Sequence, residues 1–244
     1  MDDSYVSTYH ALEGTHWWFL GRRDIIQRFI KVFRKDSFIL EIGCSGGPLI
    51  GALKECGFEN IKGIDINEKA IAICRQKGIH DVRVADAAET GFGNQQFDLI
   101  IASDVLEHLK DEDKTLAEWH RILKSGGRLI VFVPAFEFLW SSHDDVNLHY
   151  RRYSKSQLIN TLQKNGFIAE KSSYWNFCMF LPLSLIRSFQ RLLNGRGVGG
   201  GQLNKINPFF NKTLGYLLRI ENKFLSLGGI FPFGISVFAI ARKS

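Results

Sequence analysis

Phe38-Ile39-Leu40-Glu41-Ile42 is a short apolar run that breaks into Gly43-Cys44-Ser45-Gly46-Gly47, with Pro48 standing where a helix can begin. The run reads as a buried strand. The small residues behind it let the backbone pass close to a ligand and aim amide groups at it. Working outward, the run Ile61 to Ile64 closes at Asp65, with a helical segment from about Asn67 to Gln76 behind it, and Val82 to Ala85 ends at Asp86. A fourth strand, Phe97 to Ala102, follows the turn-like Gly91-Phe92-Gly93-Asn94. Upstream, Ile25, Ile26, Phe29, Ile30 and Phe33 stand at helical spacing between Arg22 and Arg34. Downstream, Leu116, Trp119, Ile122 and Leu123 share a helical face, and Ser125-Gly126-Gly127 is expected to end that helix before the strand Arg128 to Val133. Ser154 is the expected N-cap of a helix through Lys164, Phe167 to Ser172 is a sixth strand, and Ile235 to Ile240 reads as another buried strand. Short apolar strands alternating with amphipathic helices predict a doubly wound α/β domain with a mostly parallel sheet.

The chain has 244 residues, 45% apolar and 13% aromatic, which excludes disordered, collagen-like and disulfide-scaffold classes. Its net charge of +6 is localised. Between Tyr174 and Lys223 seven basic residues face the single acid Glu221, so the whole excess sits in one late segment. Cys44, Cys56, Cys74 and Cys178 form no C-x-x-C pair, so reduced, mostly buried thiols are expected and no metal centre. The acidic start Met1-Asp2-Asp3-Ser4-Tyr5 carries no apolar run, so no signal peptide is read there and the protein is expected to be cytoplasmic. The uncharged stretches Ser172 to Ile186 and Phe224 to Ala241 are too short or too broken by Gly and Pro to read as membrane spans.

In open α/β sheets a ligand sits beyond the carboxyl ends of the strands. The residues there are Glu41 through Gly47, then Asp65, twenty-two residues beyond Gly43, then Asp86-Ala87. A carboxylate at that distance suits both hydroxyls of a ribose, and the second acid suits the exocyclic amine of adenine. The dinucleotide fingerprint G-x-G-x-x-G fails, because Ser45 replaces its second glycine and Pro48 its third, which argues against a nicotinamide cofactor.

The run Ile39 to Gly47, Asp65, Asp86-Ala87, the stretch Phe97-Asp98-Leu99-Ile100-Ile101-Ala102-Ser103-Asp104-Val105-Leu106-Glu107-His108-Leu109 and Arg121-Ile122-Leu123-Lys124-Ser125-Gly126-Gly127 resemble, in order, the motifs of class I S-adenosylmethionine-dependent methyltransferases. Ser45 stands in place of that family's middle glycine. The resemblance implies a Rossmann-like, seven-stranded sheet whose last strand is antiparallel, with S-adenosylmethionine as cofactor. Gly43, Cys44 and Gly47 would line its methionine part, with Glu41 an added acceptor. Asp65 and Ile66 would hold the ribose, Asp86 and Ala87 the adenine, and Ser103 the floor beneath the sulfonium. His16-Trp17-Trp18-Phe19-Leu20-Gly21-Arg22-Arg23 and His149-Tyr150-Arg151-Arg152-Tyr153-Ser154 also resemble bacterial methyltransferases that modify cell-surface glycans and lipids. This implies an N-terminal lid in which Trp17 meets substrate and Arg22 or Arg23 pairs with the cofactor carboxylate. The competing reading has Trp17, Trp18 and Phe19 simply anchoring the first helix.

The cofactor is an activated methyl donor, so the protein mainly holds acceptor and methyl in line, and a hydroxyl acceptor gains from a general base. In the loop from Pro134 to Tyr153 we expect His143 or His149 as base or orienting group, and Arg151 and Arg152 on an anionic part of the substrate. Loop residues satisfied by one another is the competing reading, and His108 is read as a packing residue. The implied organisation is an N-terminal helical lid over 1–35, a methyltransferase core over 36–173 plus 234–244, and a helical, basic, apolar-rich insertion over 174–233 between strands 6 and 7. Leu181, Leu185, Phe189 and Leu192 form one stripe of that insertion. Three roles stay open for it: docking to an anionic membrane through 174–229, a cap or dimer contact, and RNA binding, which the interleaving of cations with Leu and Phe disfavours. The reaction class is methyl transfer to a hydroxyl of a small or lipid-linked acceptor, by a monomer or homodimer peripheral to the inner face of a membrane. An RNA-modifying enzyme and a catalytically silent binding subunit are the alternatives.

Overall fold

The computed structural model describes residues 12–194 and 206–244. The Gly-rich tract Asn194 to Gly201 therefore lies, apart from Asn194, outside the described residues. A seven-stranded sheet in the order β3-β2-β1-β4-β5-β7-β6 runs through the centre, built from β1 (Ile39–Ile42), β2 (Ile61–Asp65), β3 (Val82–Val84), β4 (Phe97–Ser103), β5 (Leu123–Pro134), β6 (Phe167–Trp175) and β7 (Ser236–Lys243). Strands β1 to β5 are parallel, and β7 runs antiparallel between β5 and β6.

The two-residue period of the strands explains the layers. Ile39, Leu99, Ile101, Ile130, Phe132 and Phe238 face one core, with α1 (Trp17–Phe29), α2 (Pro48–Glu55) and α3 (Glu68–Gln76). Leu40, Ile42, Ile100, Ala102, Leu129, Val131 and Ala239 face the other, with α4 (Glu112–Ile122) and the later helix Lys155–Lys164. Between these two, a short helix, α5 (Ser142–Val146), lies in the loop after β5, which makes Lys155–Lys164 α6. Ser154 caps α6 in a full capping box with Gln157.

Three expectations are corrected. The first helix begins at Trp17, five residues before Arg22, because the His16 imidazole caps it by accepting from the Trp18 amide. Ser125-Gly126-Gly127 does not end α4: the helix stops at Ile122, and the register jumps from Phe97↔Leu123 to Leu99↔Arg128, so these residues bulge out of β5. The thiols are split, Cys44 and Cys74 being buried and Cys56 and Cys178 exposed.

Strands β6 and β7 are joined by α7 (Phe180–Asn194) and α8 (Pro208–Ser226). The inner face of α8, Leu218, Glu221, Asn222 and Leu225, is buried. It locks onto α1 at Gly21, where an added Cβ would stand 2.4 Å from Leu218 Cδ1. Asn222 donates to the Gly21 carbonyl and to Asp24 and accepts from Trp175 Nε1, all at 2.8 to 2.9 Å. Glu221 accepts from the amides of Phe177 and Cys178 and so fixes the start of the β6–β7 connection. Helix α1 is thus clamped between sheet and insertion, and only its first turn reaches the ligand side. Among the described residues no helix is long and apolar enough to cross a membrane.

Candidate active site

A cavity of about 750 Å³ opens at the carboxyl ends of β1 to β5, beside the point where strand order reverses between β1 and β4. Gly43, at φ +72°, turns the chain out of β1, and a Cβ there would stand 2.5 Å from Val105 Cγ2. Ser45 takes the left-handed φ of +48° that glycine would hold at lower cost, and its amide donates to Asp65 Oδ2 at 2.9 Å. The Asn67 amide donates to Asp65 Oδ1 at 2.9 Å. Two amides thus fix the orientation of the Asp65 carboxylate at the rim of the cavity. The Ala88 amide holds Asp86 Oδ1 at 2.7 Å, and Trp119 Nε1 holds the Ala87 carbonyl at 2.9 Å.

Of the residues expected to meet the cofactor, Gly43, Asp65, Ile66, Asp86, Ala87 and Ser103 line this cavity together, and Trp17 joins them from the first turn of α1. Glu41, Cys44, Gly47 and Arg22 do not. Glu41 is buried behind the glycine loop, where burial and then the Glu13 charge push its carboxyl well above the usual range. Cys44 packs toward Cys74, and Gly47 opens α2 from a left-handed conformation.

Arg22 requires the clearest correction, because it is a buried strut and not a wall of the cavity. Its guanidinium is 4.7, 4.1 and 4.2 Å from the ring centres of Trp18, Phe132 and Trp175, donates to Ser236 Oγ at 3.0 Å and lies 3.5 Å from Asp104. Breaking a buried pair is costly, since the remaining charge keeps its desolvation penalty. Arg22→Ala is expected to lower unfolding stability by about 3 kcal/mol in a urea titration; a loss below about 1 kcal/mol would show the strut to be dispensable.

On the opposite wall stand His143, His149 and Arg152, whereas Arg151 turns outward to Glu112 at 2.9 Å and to the Lys110 carbonyl. Fully buried Asp144 organises the group, accepting from His149 Nδ1 at 2.8 Å and from Arg152 Nε and Nη2 at 2.7 and 2.9 Å. Burial alone would raise the Asp144 carboxyl, but the His149 and Arg152 hydrogen bonds and the Arg152 charge carry it well below the ordinary 3.8. Stability from a depressed carboxyl is complete above the unfolded value and lost as pH falls through the folded one. Wild type is therefore expected to lose unfolding free energy below pH 4 relative to Asp144→Asn; parallel acid limbs in the two stability–pH profiles would refute this.

Two further residues enter from the turn Leu106–His108 after β4. Glu107 and His108 both line the cavity, so His108, expected from its apolar neighbours to pack, also has access to the ligand side. The His108 ring lies edge-on to His149 at 4.6 Å, and burial, then the His149 charge, lowers its pKa to about 4. Burial and then the Asp104 charge push the Glu107 carboxyl well above the usual range. A Glu-His pair inside an otherwise apolar run was the available signal in the sequence. Met179, Pro182, Leu183 and Ile186 close the cavity from α7 and the residue before it, so the insertion supplies an apolar wall.

Residues 40–131 match the protein family described as Methyltransferase domain. The chain is 24% identical over 192 residues to a Ubiquinone biosynthesis O-methyltransferase of Hydrogenovibrio crunogenus, covering 70% of this chain and 73% of that one. It is 34% identical over 115 residues to the tRNA (carboxymethyluridine(34)-5-O)-methyltransferase of Arabidopsis thaliana, a match covering 46% of this chain and only 28% of the plant protein. Among solved structures, the complex of the Haloferax volcanii Trm112 methyltransferase activator with a methyltransferase matches at TM-score 0.65 and 16% identity, over 99% of this chain and 95% of that one. Phosphoethanolamine N-methyltransferase 2 of Haemonchus contortus, solved with S-adenosyl-L-methionine, matches at TM-score 0.61 and 19% identity, over 91% and 52%.

Proposed function

We propose, for a chain that is a class I S-adenosylmethionine-dependent methyltransferase, that it moves the methyl group to a hydroxyl oxygen of a lipid-linked acceptor taken from an anionic membrane surface. One observation carries this reading. A single cavity joins strand-end acids suited to an adenosine to a histidine cluster, and an apolar helix of the insertion forms a further part of its wall beside the aromatic first turn of α1. The outer faces of that insertion are apolar as well: Leu185 is 71%, Phe209 72% and Leu227 79% exposed, with Leu181, Phe189, Phe210, Tyr216, Ile220 and Phe224 also open to solvent. Lys212, Arg219 and Lys223 are interleaved on α8. Apolar burial and attraction to anionic headgroups add on such a surface.

The cofactor supplies a sulfonium-activated methyl, so the side chains bind, orient and exclude water. Asp65 and Asp86 hold the adenosine, Gly43 and Ser103 border the reacting end, and Met179, Pro182 and Leu183 keep water from the acceptor side. Asp144 holds His149 in the tautomer whose Nε2 carries a lone pair, the group on which activation of the hydroxyl turns. Arg152, anchored on Asp144, contributes positive charge beside an anionic acceptor group. The long match to an enzyme named for O-methylation in ubiquinone biosynthesis supports an oxygen as the acceptor atom.

The test is incubation of the full chain with methyl-labelled S-adenosylmethionine, a bacterial lipid extract and, separately, tRNA. Label extracted with the lipids is the expected result. Label in the RNA would overturn the acceptor assignment, and absence of S-adenosylmethionine binding at micromolar concentration would overturn the enzyme reading.

A further inference from the structure

The acceptor wall contains a group that proton transfer alone does not explain. Glu107 is 0% exposed, lines the cavity, and has no hydrogen-bond partner at either carboxylate oxygen among the described residues. Leaving such a group unmatched costs several kcal/mol even in its neutral form, so an acid kept at the cavity wall points to a partner beyond the described side chains. One ligand atom each from Glu107, His108 and His149 lie within 4.8 Å of one another. Ligands of one cation at about 2.1 Å sit roughly 3 to 4 Å apart, so closing the set takes about one to two ångströms of side-chain movement.

The surroundings fit as well. His149 gives Nδ1–H to Asp144 at 2.8 Å, and Asp144 is held in turn by Arg152, the carboxylate–histidine relay that orients imidazole ligands in metal sites. Glu107 and His108 are consecutive on a tight turn, and the Glu107 carbonyl accepts from the Tyr150 amide at 2.8 Å, which ties the two halves of the cluster together.

We infer that Glu107, His108 and His149 form a binding site for one divalent transition-metal cation at the acceptor end of the cavity. Two imidazoles and one carboxylate favour zinc, manganese or iron(II) over magnesium or calcium. Three protein ligands leave coordination positions for an acceptor oxygen. The cation's role, unlike its binding, rests on the methyl-transfer reading. With a cation bound, the His149 Nε2 lone pair would be committed to it and would no longer act as base; a hydroxyl held there would instead lose its proton to solvent more readily, its oxygen lone pair would form the new O–CH3 bond, and the S–CH3 pair would return to sulfur, leaving the thioether product.

The test uses the full chain stripped with chelator and titrated with Mn²⁺ alone, following the free-ion signal by electron paramagnetic resonance. One tightly bound equivalent, displaced by Zn²⁺, is expected, with affinity at least about tenfold weaker in Glu107→Gln, His108→Ala and His149→Ala. Thermal melts identify any variant that fails to fold, and the remaining ones decide. A free-ion signal that wild type leaves undiminished, or equal affinity in every folded variant, overturns the site. S-adenosylhomocysteine binding by wild type, measured by calorimetry without metal, reports separately on the methyl-transfer reading.

Discussion

Asp65→Ala is expected to weaken S-adenosylhomocysteine binding by about a thousandfold in calorimetry. The carboxylate is aimed into the cavity by the Ser45 and Asn67 amides, each at 2.9 Å. A ribose diol presents two donors to it, and charge-assisted hydrogen bonds contribute about 1.5 to 3 kcal/mol each. Losing both removes about 4 kcal/mol, which is about a thousandfold in affinity. The substitution also releases the glycine loop at Ser45, whose φ of +48° that hydrogen bond helps to hold. Asp65→Asn keeps one carbonyl acceptor and is expected to retain an intermediate affinity. Binding by Asp65→Ala within about threefold of wild type would mean the adenosine lies elsewhere in the cavity.

The second large effect concerns the membrane. Replacing Leu185, Phe209, Ile220 and Leu227 together by Ser is expected to abolish sedimentation with vesicles of phosphatidylglycerol and phosphatidylcholine. All four are exposed, so each substitution should alter folding stability by no more than about 0.5 kcal/mol. In a bilayer interface each side chain buries apolar area instead, and about 1 kcal/mol from each amounts to about a thousandfold in partitioning. Added salt should weaken the wild-type interaction, because Lys212, Arg219 and Lys223 act through screened charges. Undiminished sedimentation by a folded variant would leave the exposed stripes without a role at membranes and remove the main support for a lipid-linked acceptor.

The strand-end half of the cavity is legible in the sequence because its signals are local. A strand buried on both faces, a turn that only small residues can make and an acid at the next strand end each follow from short stretches of chain. Gly43, Asp65, Asp86 and Ser103 therefore line one cavity together. The burial of Arg22 away from the cavity is not legible in the same way. Its spacing marks it as belonging to α1, but the Trp18, Phe132 and Trp175 rings that surround it come from three separate elements. The cavity position of His108 is not legible, because Leu106 and Leu109 show that the turn packs and cannot show on which side of it the imidazole emerges.

The sequence by itself determined the alternation of strands and helices, the glycine loop, the order of the strand-end acids and the placing of the basic excess in one segment. Backbone sterics and hydrophobic period act over a few residues, and those residues are adjacent in the chain. Only the tertiary structure decided that Glu107 and His108 meet His149, that Asp144 stands behind it, and that α7 walls the cavity while α8 locks onto Gly21. Those contacts depend on which strands lie side by side and how the loop after β5 folds back across them, and no local pattern encodes that path.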